Sequence, residues 1–366
     1  MMKGIPHYSC DASWVKSYQS ISFKPIQPSK LRYLPPRTCG ASSLQPQASF
    51  SATQLPEIPP LVVVGSANAD IFLEIDRVPN PGETVSASNG FSLPGGKGAN
   101  QAACAAKLSY PTYFVGQVGD DSNGALILDE LKECGVRVDY VREIVGVPTG
   151  NAVVMLQPNG QNSIIICGGA NMRGWPDQFR TEDLEIIRTA GIVLLQREIP
   201  DSINLLVAEA ARASNVPVIL DAGGIDLPLP SKLLSFIDFL SPNETELSRI
   251  TGMETKTMEQ IHQAIIKCHE MGVEKILLKL GDRGSALFVK GETPLFQPII
   301  SATRVADTTG AGDTFTAAFA VAFIEGKPMS KCLQFASAAA SVCIQEKGAM
   351  PSMPDRRSVL NRILYG

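Results

Sequence analysis

The sequence predicts an α/β protein with a mostly parallel central sheet and a small separate β-sheet lid. Short apolar runs alternate with segments of helical period, which is typical of a parallel sheet covered by helices on both faces. Two stretches rich in β-branched residues interrupt this alternation and contain turn signals. With 366 residues, of which 44% are hydrophobic and 19% charged, the chain can bury one large core.

Five apolar runs predict strands of the large sheet: 61–64, 192–195, 216–220, 236–240 and 275–280. Helical patterns fall between them, as at 202–213 and 257–271. Later in the chain, Phe315, Phe319 and Phe323 recur at four-residue spacing and place one apolar stripe of a helix toward a core. Ligands of such sheets bind beyond the carboxyl ends of the strands, so we expect the functional site at that edge.

The two interrupting stretches, about 70–91 and 136–167, predict antiparallel hairpins rather than strand–helix units. Their turn signals are Asn80-Pro81-Gly82 and Pro158-Asn159-Gly160. Strands that do not join the main sheet can form a flap over its edge. We therefore expect these stretches to form the lid.

Residues 1–56 differ in composition from the rest, and we expect the folded domain to span residues 57–366. This segment is rich in serine and proline, carries six basic residues and one acid, Asp11, and lacks the apolar core of a secretory signal. Such a composition is typical of an organelle transit peptide. Because few of its basic residues are arginine, it favours the plastid (the chloroplast stroma) over the mitochondrion. A disordered regulatory tail or a misassigned start codon, with a cytoplasmic location, is the alternative, and Met1 retained in the mature protein would contradict import.

Charge and cysteine usage limit the class of partner. Residues 1–56 carry a net charge of +5, so the remainder of a chain at −4 carries −9, which does not favour nucleic acid as a partner. No apolar run approaches the roughly 18 residues of a membrane span, and no membrane partner is expected. The 8 cysteines form no C-x-x-C pair, and the 3 histidines give poor support for a histidine-based triad. Small polar ligands are the expected partners.

The segment Asp307 to Phe315 places a carboxylate in the first turn of a helix behind a glycine-rich run. Gly310 and Gly312 allow a ligand close to the backbone, and amides at a helix N-terminus suit negative charge. Asp313 stands where a base for phosphoryl transfer would lie. An acid in a first turn is often only a structural cap, so the segment alone does not decide. The chain has neither a P-loop nor a dinucleotide-binding glycine motif.

Five motifs in order and spacing resemble the ribokinase (pfkB) family of carbohydrate kinases: 65–70 (GSANAD), 81–84 (PGET), 95–102 (GGKGANQA), 242–246 (PNETE) and 307–315 (DTTGAGDTF). The resemblance runs from about Leu61 to the C-terminus. The glycine motif at 95–102 favours the ribokinase branch over fructokinase or adenosine kinase. It implies a ribokinase-like three-layer sandwich and ATP-dependent phosphorylation of D-ribose at O5 to ribose 5-phosphate. Another sugar or nucleoside kinase of the family is the nearest alternative, and a catalytically inactive plastid regulator on this fold is the other.

The resemblance also assigns residues to roles. Asp313 is implied as the base of a direct in-line transfer, with the amides of Gly310, Ala311 and Gly312 as the anion hole. The implied ribose ligands are Asn68, Asp70, Gly96, Lys97, Asn100, Glu198 and Asp313. The implied ATP-binding residues are Asn243, Glu246, Lys279, Gly281, Gly312 and Ser337, with Asn243 and Glu246 holding Mg²⁺ through water.

Two further features are implied by the family alone. One is an activating monovalent cation, K⁺, held mostly by backbone carbonyls at Asp307, Thr309, Cys343, Glu346, Gly348 and Ser352. Glu346 departs from the basic residue expected at its position, although a carbonyl ligand would survive that change. The other is a homodimer formed through the β lid.

Overall fold

The structure is a computed structural model that describes residues 58–158 and 162–365. The predicted transit segment, 1–56, and most of the predicted turn at 158–160 lie outside these residues. Within them, no helix is both long enough and apolar enough to cross a bilayer.

The described residues form thirteen strands: β1 Leu61–Val64, β2 Asn68–Glu74, β3 Asn89–Gly95, β4 Thr112–Gly119, β5 Arg137–Ile144, β6 Gly150–Leu156, β7 Asn162–Cys167, β8 Ile192–Arg197, β9 Val218–Gly224, β10 Phe239–Ser241, β11 Lys275–Lys279, β12 Ser285–Val289 and β13 Leu295–Gln297. They also form ten α-helices: α1 Lys97–Lys107, α2 Ser122–Glu133, α3 Thr181–Arg188, α4 Asp201–Ala213, α5 Ser231–Leu234, α6 Glu244–Thr251, α7 Met258–Glu270, α8 Ala311–Ile324, α9 Met329–Cys343 and α10 Arg356–Tyr365. Short 3₁₀-helices occupy Gly169–Asn171, Gly281–Arg283 and Met350–Ser352.

The large sheet has nine strands in the order β13-β12-β11-β10-β9-β8-β1-β4-β5. Neighbours from β5 to β11 are parallel, and antiparallel β12 and β13 extend one edge. Strands β1 and β8 are buried at every position, as expected where helices cover both faces of a sheet. The predicted, mostly parallel sheet is confirmed. The strand predicted at 236–240 is shorter than expected, because β10 begins at Phe239.

Helix α8 packs on this sheet through the predicted phenylalanine stripe. Phe315 and Phe319 are buried, and the rings of Phe319 and Phe323 contact Phe239 of β10 edge-on, with centroids 5.5 and 5.3 Å apart. Helices α1 and α9 pack against α8 on either side. These contacts fix the N-terminal end of α8 at the carboxyl edge of the parallel strands.

The lid is a four-stranded sheet in the order β3-β2-β6-β7. Its two outer pairs are antiparallel, as predicted, but the central pair β2–β6 is parallel. The prediction that all of 136–167 belongs to the lid was wrong for its first strand. Strand β5 instead pairs in parallel with β4 at the edge of the large sheet. Helix α2 connects β4 to β5, so this segment is a strand–helix–strand unit, and its alternating pattern belongs to a sheet-edge strand.

Candidate active site

The N-terminus of α8 opens into a cavity of about 680 Å³. Gly310 precedes the helix in the left-handed conformation (φ 78°), and a Cβ at this position would lie 3.1 Å from Cα of Ala349. The amide of Ala311 donates to the carbonyl of Thr308 (3.2 Å). Gly312 lines the cavity in the first helical turn, where amides lack intrahelical acceptors. This turn therefore offers N–H groups and the positive end of the helix dipole to an anion.

Asp313 is the ionisable group of this turn and lines the same cavity. It is only 5% exposed, so this carboxylate in the first turn of the helix is buried. Its Oδ2 accepts from Nδ2 of Asn100 (2.9 Å) and its Oδ1 from Nε2 of Gln101 (3.2 Å). Burial raises the pKa of Asp313, although the ammonium of Lys97 opposes this shift. Gln101 was not predicted as a site residue, even though it stands within the quoted glycine motif.

Two predicted sugar ligands, Asn68 and Glu198, are held at the N-terminus of α1. Oδ1 of Asn68 accepts from Nδ2 of Asn171 (2.7 Å), a buried residue that no sequence signal indicated. Oε2 of Glu198 accepts from Oγ of Ser66 (2.6 Å) and from the amide of Lys97 (3.0 Å). These bonds fix an amide and a carboxylate beside the start of the helix that carries Asn100.

Asp70 lies in the same cluster, over the end of β3. A Cβ built on Gly95 would overlap the Asp70 carboxylate, so this carboxylate lies directly against the Gly95 backbone. Burial raises the pKa of Asp70 to about 7, with further contributions from the charges of Glu198 and Asp313. The predicted sugar-binding carboxylates are therefore brought together around one centre.

Gly96 and Lys97 join the sugar-side cluster to the cavity. Gly96 has a φ of 88°, and a Cβ there would lie 2.7 Å from the amide nitrogen of Asn68, so the backbone approach requires glycine. The side chain of Lys97 lines the cavity and reaches Gly223, where a Cβ would lie 2.7 Å from Nζ. The negative charge of Asp313 raises the pKa of Lys97 and keeps it a cation.

All six predicted ATP-binding residues line the cavity: Asn243, Glu246, Lys279, Gly281, Gly312 and Ser337. The cavity also has an apolar wall that sequence reasoning missed, formed by Ile299, Ile300, Val305 and Ile344. Val305 leaves 66% of its surface exposed at this wall. A polar floor with one apolar wall suits a nucleotide, whose base stacks and whose phosphates bind polar groups.

Asn243 and Glu246 form a capping box at the start of α6. Oδ1 of Asn243 accepts from the amide of Glu246 (2.8 Å), and Oε2 of Glu246 accepts from the amide of Asn243 (2.7 Å). Helix capping by itself therefore explains their spacing. Both residues also line the cavity and present oxygen atoms, which are the ligands that Mg²⁺ and its bound waters prefer.

The predicted cation ligands converge between the N-terminus of α8 and the C-terminus of α9. Oδ1 of Asp307 accepts from the amide (2.9 Å) and hydroxyl (2.7 Å) of Thr309, and Oδ2 accepts from the amide of Gly348 (2.9 Å). Sγ of Cys343 lies 3.1 Å from Oγ of Ser352 and 3.8 Å from the carbonyl oxygen of Thr309. Burial by itself would raise the pKa of Asp307, but these donors hold it below its ordinary value, so the cluster retains a negative charge.

Glu346 contributes no carboxylate to this cluster. Its side chain is 65% exposed and forms an ion pair with Arg304 (3.0 Å). A role for Glu346 in cation binding would therefore rest on its backbone carbonyl, which stays a prediction.

Asp221, on β9, is a third polar residue that was not predicted as part of the site. It is 1% exposed, and its Oδ2 accepts from Nζ of Lys279 (2.8 Å) and from Oγ1 of Thr316 (2.9 Å). A signal was present, because Asp221 directly follows the apolar run 216–220, at the carboxyl edge where ligands bind.

Comparison with known proteins places these features in one family. The sequence profile of the pfkB family carbohydrate kinases matches residues 59–356. The chain is 58% identical to ribokinase of Arabidopsis thaliana over an alignment of 379 positions, which covers 100% of each chain. It is 36% identical to ribokinase of Bacillus subtilis over 299 residues, 82% of this chain and 97% of that one. The solved structure of Arabidopsis thaliana ribokinase complexed with ribose and ATP superposes with a TM-score of 0.82 at 65% identity, covering 84% of this chain and 99% of that chain.

Proposed function

The chain belongs to the pfkB family of carbohydrate kinases, and we propose that it transfers the γ-phosphoryl group of ATP to O5 of D-ribose, giving ribose 5-phosphate. One observation carries the proposal. Asp313 is buried, is oriented by Asn100 and Gln101, and lies where the sugar-side cluster meets the nucleotide cavity. A base is needed at such a junction, because the hydroxyl of one substrate attacks a phosphoryl group of the other.

Asp313 would accept the proton of the attacking hydroxyl. The side-chain amides of Asn100 and Gln101 each donate a hydrogen bond to one oxygen of Asp313. These two bonds fix the orientation of the carboxylate. Its raised pKa brings it closer to a useful base, yet it remains far weaker than an alkoxide. The proton therefore moves as the bond to phosphorus forms. Meanwhile, the first turn of α8 stabilises the charge on the transferring oxygens.

Ribose would bind through the cluster around Asp70 and Asn68. Oδ1 of Asn100 is buried, and no donor within 58–158 or 162–365 reaches it. A buried acceptor without a partner is costly, and a sugar hydroxyl would satisfy it. A site of this kind discriminates strongly, because an analogue lacking one hydroxyl leaves such a group unmatched.

ATP would place its base on the apolar wall and its phosphates toward Lys279 and α8. Bound Mg²⁺ supplies charge neutralisation on the phosphates, and Asn243 and Glu246 are the residues suited to hold it through water. Asn243 and Glu246 are held rigid by their capping bonds, so they offer a fixed set of oxygens.

We also infer an activating potassium site beside the anion hole. Asp307 keeps a negative charge there, and Thr309, Gly348, Ser352 and the backbone carbonyl of Glu346 add oxygen atoms. The thiol of Cys343 is a poor ligand for a hard cation, so its backbone carbonyl is the group we propose. A cation here would reinforce the positive end of α8.

Two cellular features belong to the same proposal. Residues 1–56 would act as a transit peptide that directs the enzyme to the chloroplast stroma, on the basis of their serine-rich, acid-poor composition. The lid would pair with the lid of a second copy to form a homodimer. Exposed isoleucines on β7 support this pairing.

The direct test measures ADP release by the purified protein with ATP and each of ribose, deoxyribose, fructose and adenosine. Ribose should give the highest kcat/KM. Asp313→Asn should lower kcat at least about 1000-fold while ATP affinity, measured by calorimetry, changes little. Substantial turnover in that variant would refute the assigned base, and a preference for another acceptor would refute the substrate.

A further inference from the structure

Asp221 is a buried carboxylate to which the chemistry above gives no role. Besides its bonds to Lys279 and Thr316, its Oδ1 accepts from the amide of Gly223 (3.0 Å). Burial by itself would raise the pKa of Asp221, but the charges of Lys279 and Lys97 hold it below its ordinary value. The group is therefore an anion inside the protein, at the edge of the nucleotide cavity.

Two lysine ammonium groups flank this carboxylate, and both lysines line the cavity. Nζ of Lys279 faces the first turn of α8, because a Cβ built on Gly312 would lie 3.8 Å from it. Nζ of Lys97 lies on the other side, where a Cβ built on Gly223 would be 2.7 Å from this atom and 3.0 Å from Oδ1 of Asp221. The negative charge of Asp221 interacts with both ammonium groups and offsets their mutual repulsion.

The bond to Asp221 engages one of the three donors of the Lys279 ammonium. The others suit phosphoryl oxygens at the N-terminus of α8. The same carboxylate also accepts a hydrogen bond from Thr316, one turn beyond Asp313, so Asp221 lies beside the helix that carries the base. A lysine stem is flexible, and misplacing a catalytic group by about 1 Å can cost about 100-fold in rate.

We propose that Asp221 is a positioning residue for phosphoryl transfer, which holds the Lys279 ammonium against the first turn of α8, where the γ-phosphoryl group is transferred. The proposal rests on the kinase function proposed above. Because ADP lacks the γ-phosphoryl group that would contact that turn, Asp221 should matter more for binding ATP than for binding ADP.

The test uses Asp221→Asn, which keeps the shape of the side chain and removes its charge. The dissociation constant of a non-hydrolysable ATP analogue should rise at least about fivefold relative to that of ADP, and kcat with ribose should fall at least about tenfold. Thr316→Val is the matched control, since it removes the other bond to Oδ2 and keeps the ion pair. Both quantities should then stay within about twofold of the wild-type values. In a Lys279→Met background, adding Asp221→Asn should change them less than about twofold.

Three outcomes would overturn the proposal: equal weakening of both nucleotides, the same losses in Thr316→Val, or an undiminished effect of Asp221→Asn beside Lys279→Met. If Asp221→Asn alone does not fold, the double variant is compared with Lys279→Met instead. The double variant should fold, because it leaves no Lys279 ammonium buried without its partner. A wild-type protein that does not phosphorylate ribose would refute the proposed function. In that case the two nucleotide affinities would still decide the role of Asp221.

Discussion

At the scale of single residues, the site concentrates negative charge around one lysine. The carboxylates of Asp70, Glu198, Asp221 and Asp313 all act on each other or on Lys97. Asp70 bears the consequence, because burial and two neighbouring anions raise its pKa to about 7. The buried carboxylates that serve ligand binding therefore lower the stability of the folded protein.

Replacing Asp70 by Asn should stabilise the protein in a pH-dependent way. The pKa of the Asp70 carboxyl is 3.8 in the unfolded chain and about 7 in the folded protein. The folded protein is therefore destabilised by the full amount above about pH 7, and this destabilisation disappears as the pH falls toward 3.8. We expect Asp70→Asn to raise the free energy of unfolding by about 1–3 kcal/mol at pH 8 and by much less at pH 5. Urea unfolding at the two pH values measures both.

Asp129 provides the matched control, since it is a solvent-exposed acid on α2. Asp129→Asn should change stability little at either pH. The prediction fails if Asp70→Asn is equally stabilising at pH 5 and pH 8. A second readout is kcat/KM for ribose, which should fall in the wild-type enzyme as the pH drops below 7, because an ionised Asp70 is the better acceptor for sugar hydroxyls.

Sequence patterns indicated the residues proposed for the chemistry more readily than the residues that hold them in place. Glycine signatures and helix-start acids mark Asp313 and Lys97, because backbone approach and helix ends leave local traces in sequence. Asn171 supports Asn68 from 103 positions away, and such a contact has no local trace. Asp221 lies between these cases. Its position after a strand was visible, but its partners come from distant segments.

At the scale of elements, the strands and helices of the large sheet follow from periodicity, whereas the assignment of edge strands does not. Strand β5 lies at the edge of the large sheet and alternates like a lid strand because one of its faces is more exposed than the other. The choice between two sheets depends on helix α2, which carries the chain from β4 back to a parallel partner. Periodicity reports how a strand is covered, not which sheet it joins.

The junction between α8 and α9 should respond to monovalent cations. Potassium at the Asp307 cluster would stabilise the anion-binding turn, so we expect kcat to be at least about tenfold higher in potassium chloride than in N-methylglucamine chloride at equal ionic strength. Asp307→Asn should remove most of this difference, because it removes the charge at the cluster. Steady-state rates with ribose and ATP measure the effect. Equal rates of the wild-type enzyme in both salts would argue against the site.

At the scale of the whole molecule, the lid carries three consecutive exposed isoleucines on its outer strand. Ile164, Ile165 and Ile166 of β7 are 54%, 59% and 62% exposed. Successive strand residues point to opposite faces, so β7 leaves both faces open at the outer edge of the lid. An exposed edge strand with apolar side chains invites pairing with another chain.

A charge on β7 should therefore dissociate the enzyme. We expect the wild-type protein to be a dimer at micromolar concentration and Ile165→Asp to raise its dissociation constant at least about tenfold, because an interface pays heavily for a buried unpaired carboxylate. Sedimentation equilibrium measures the constant. Ile266→Asp is the matched control, since Ile266 is also an exposed isoleucine (39%) but lies on α7, away from the lid.

A monomeric wild-type protein, or equal effects of the two substitutions, would show that the lid isoleucines do not form the interface. If Ile165→Asp also raises the KM for ribose, then dimerisation supports the sugar site, since β2 of the same sheet carries Asn68 and Asp70.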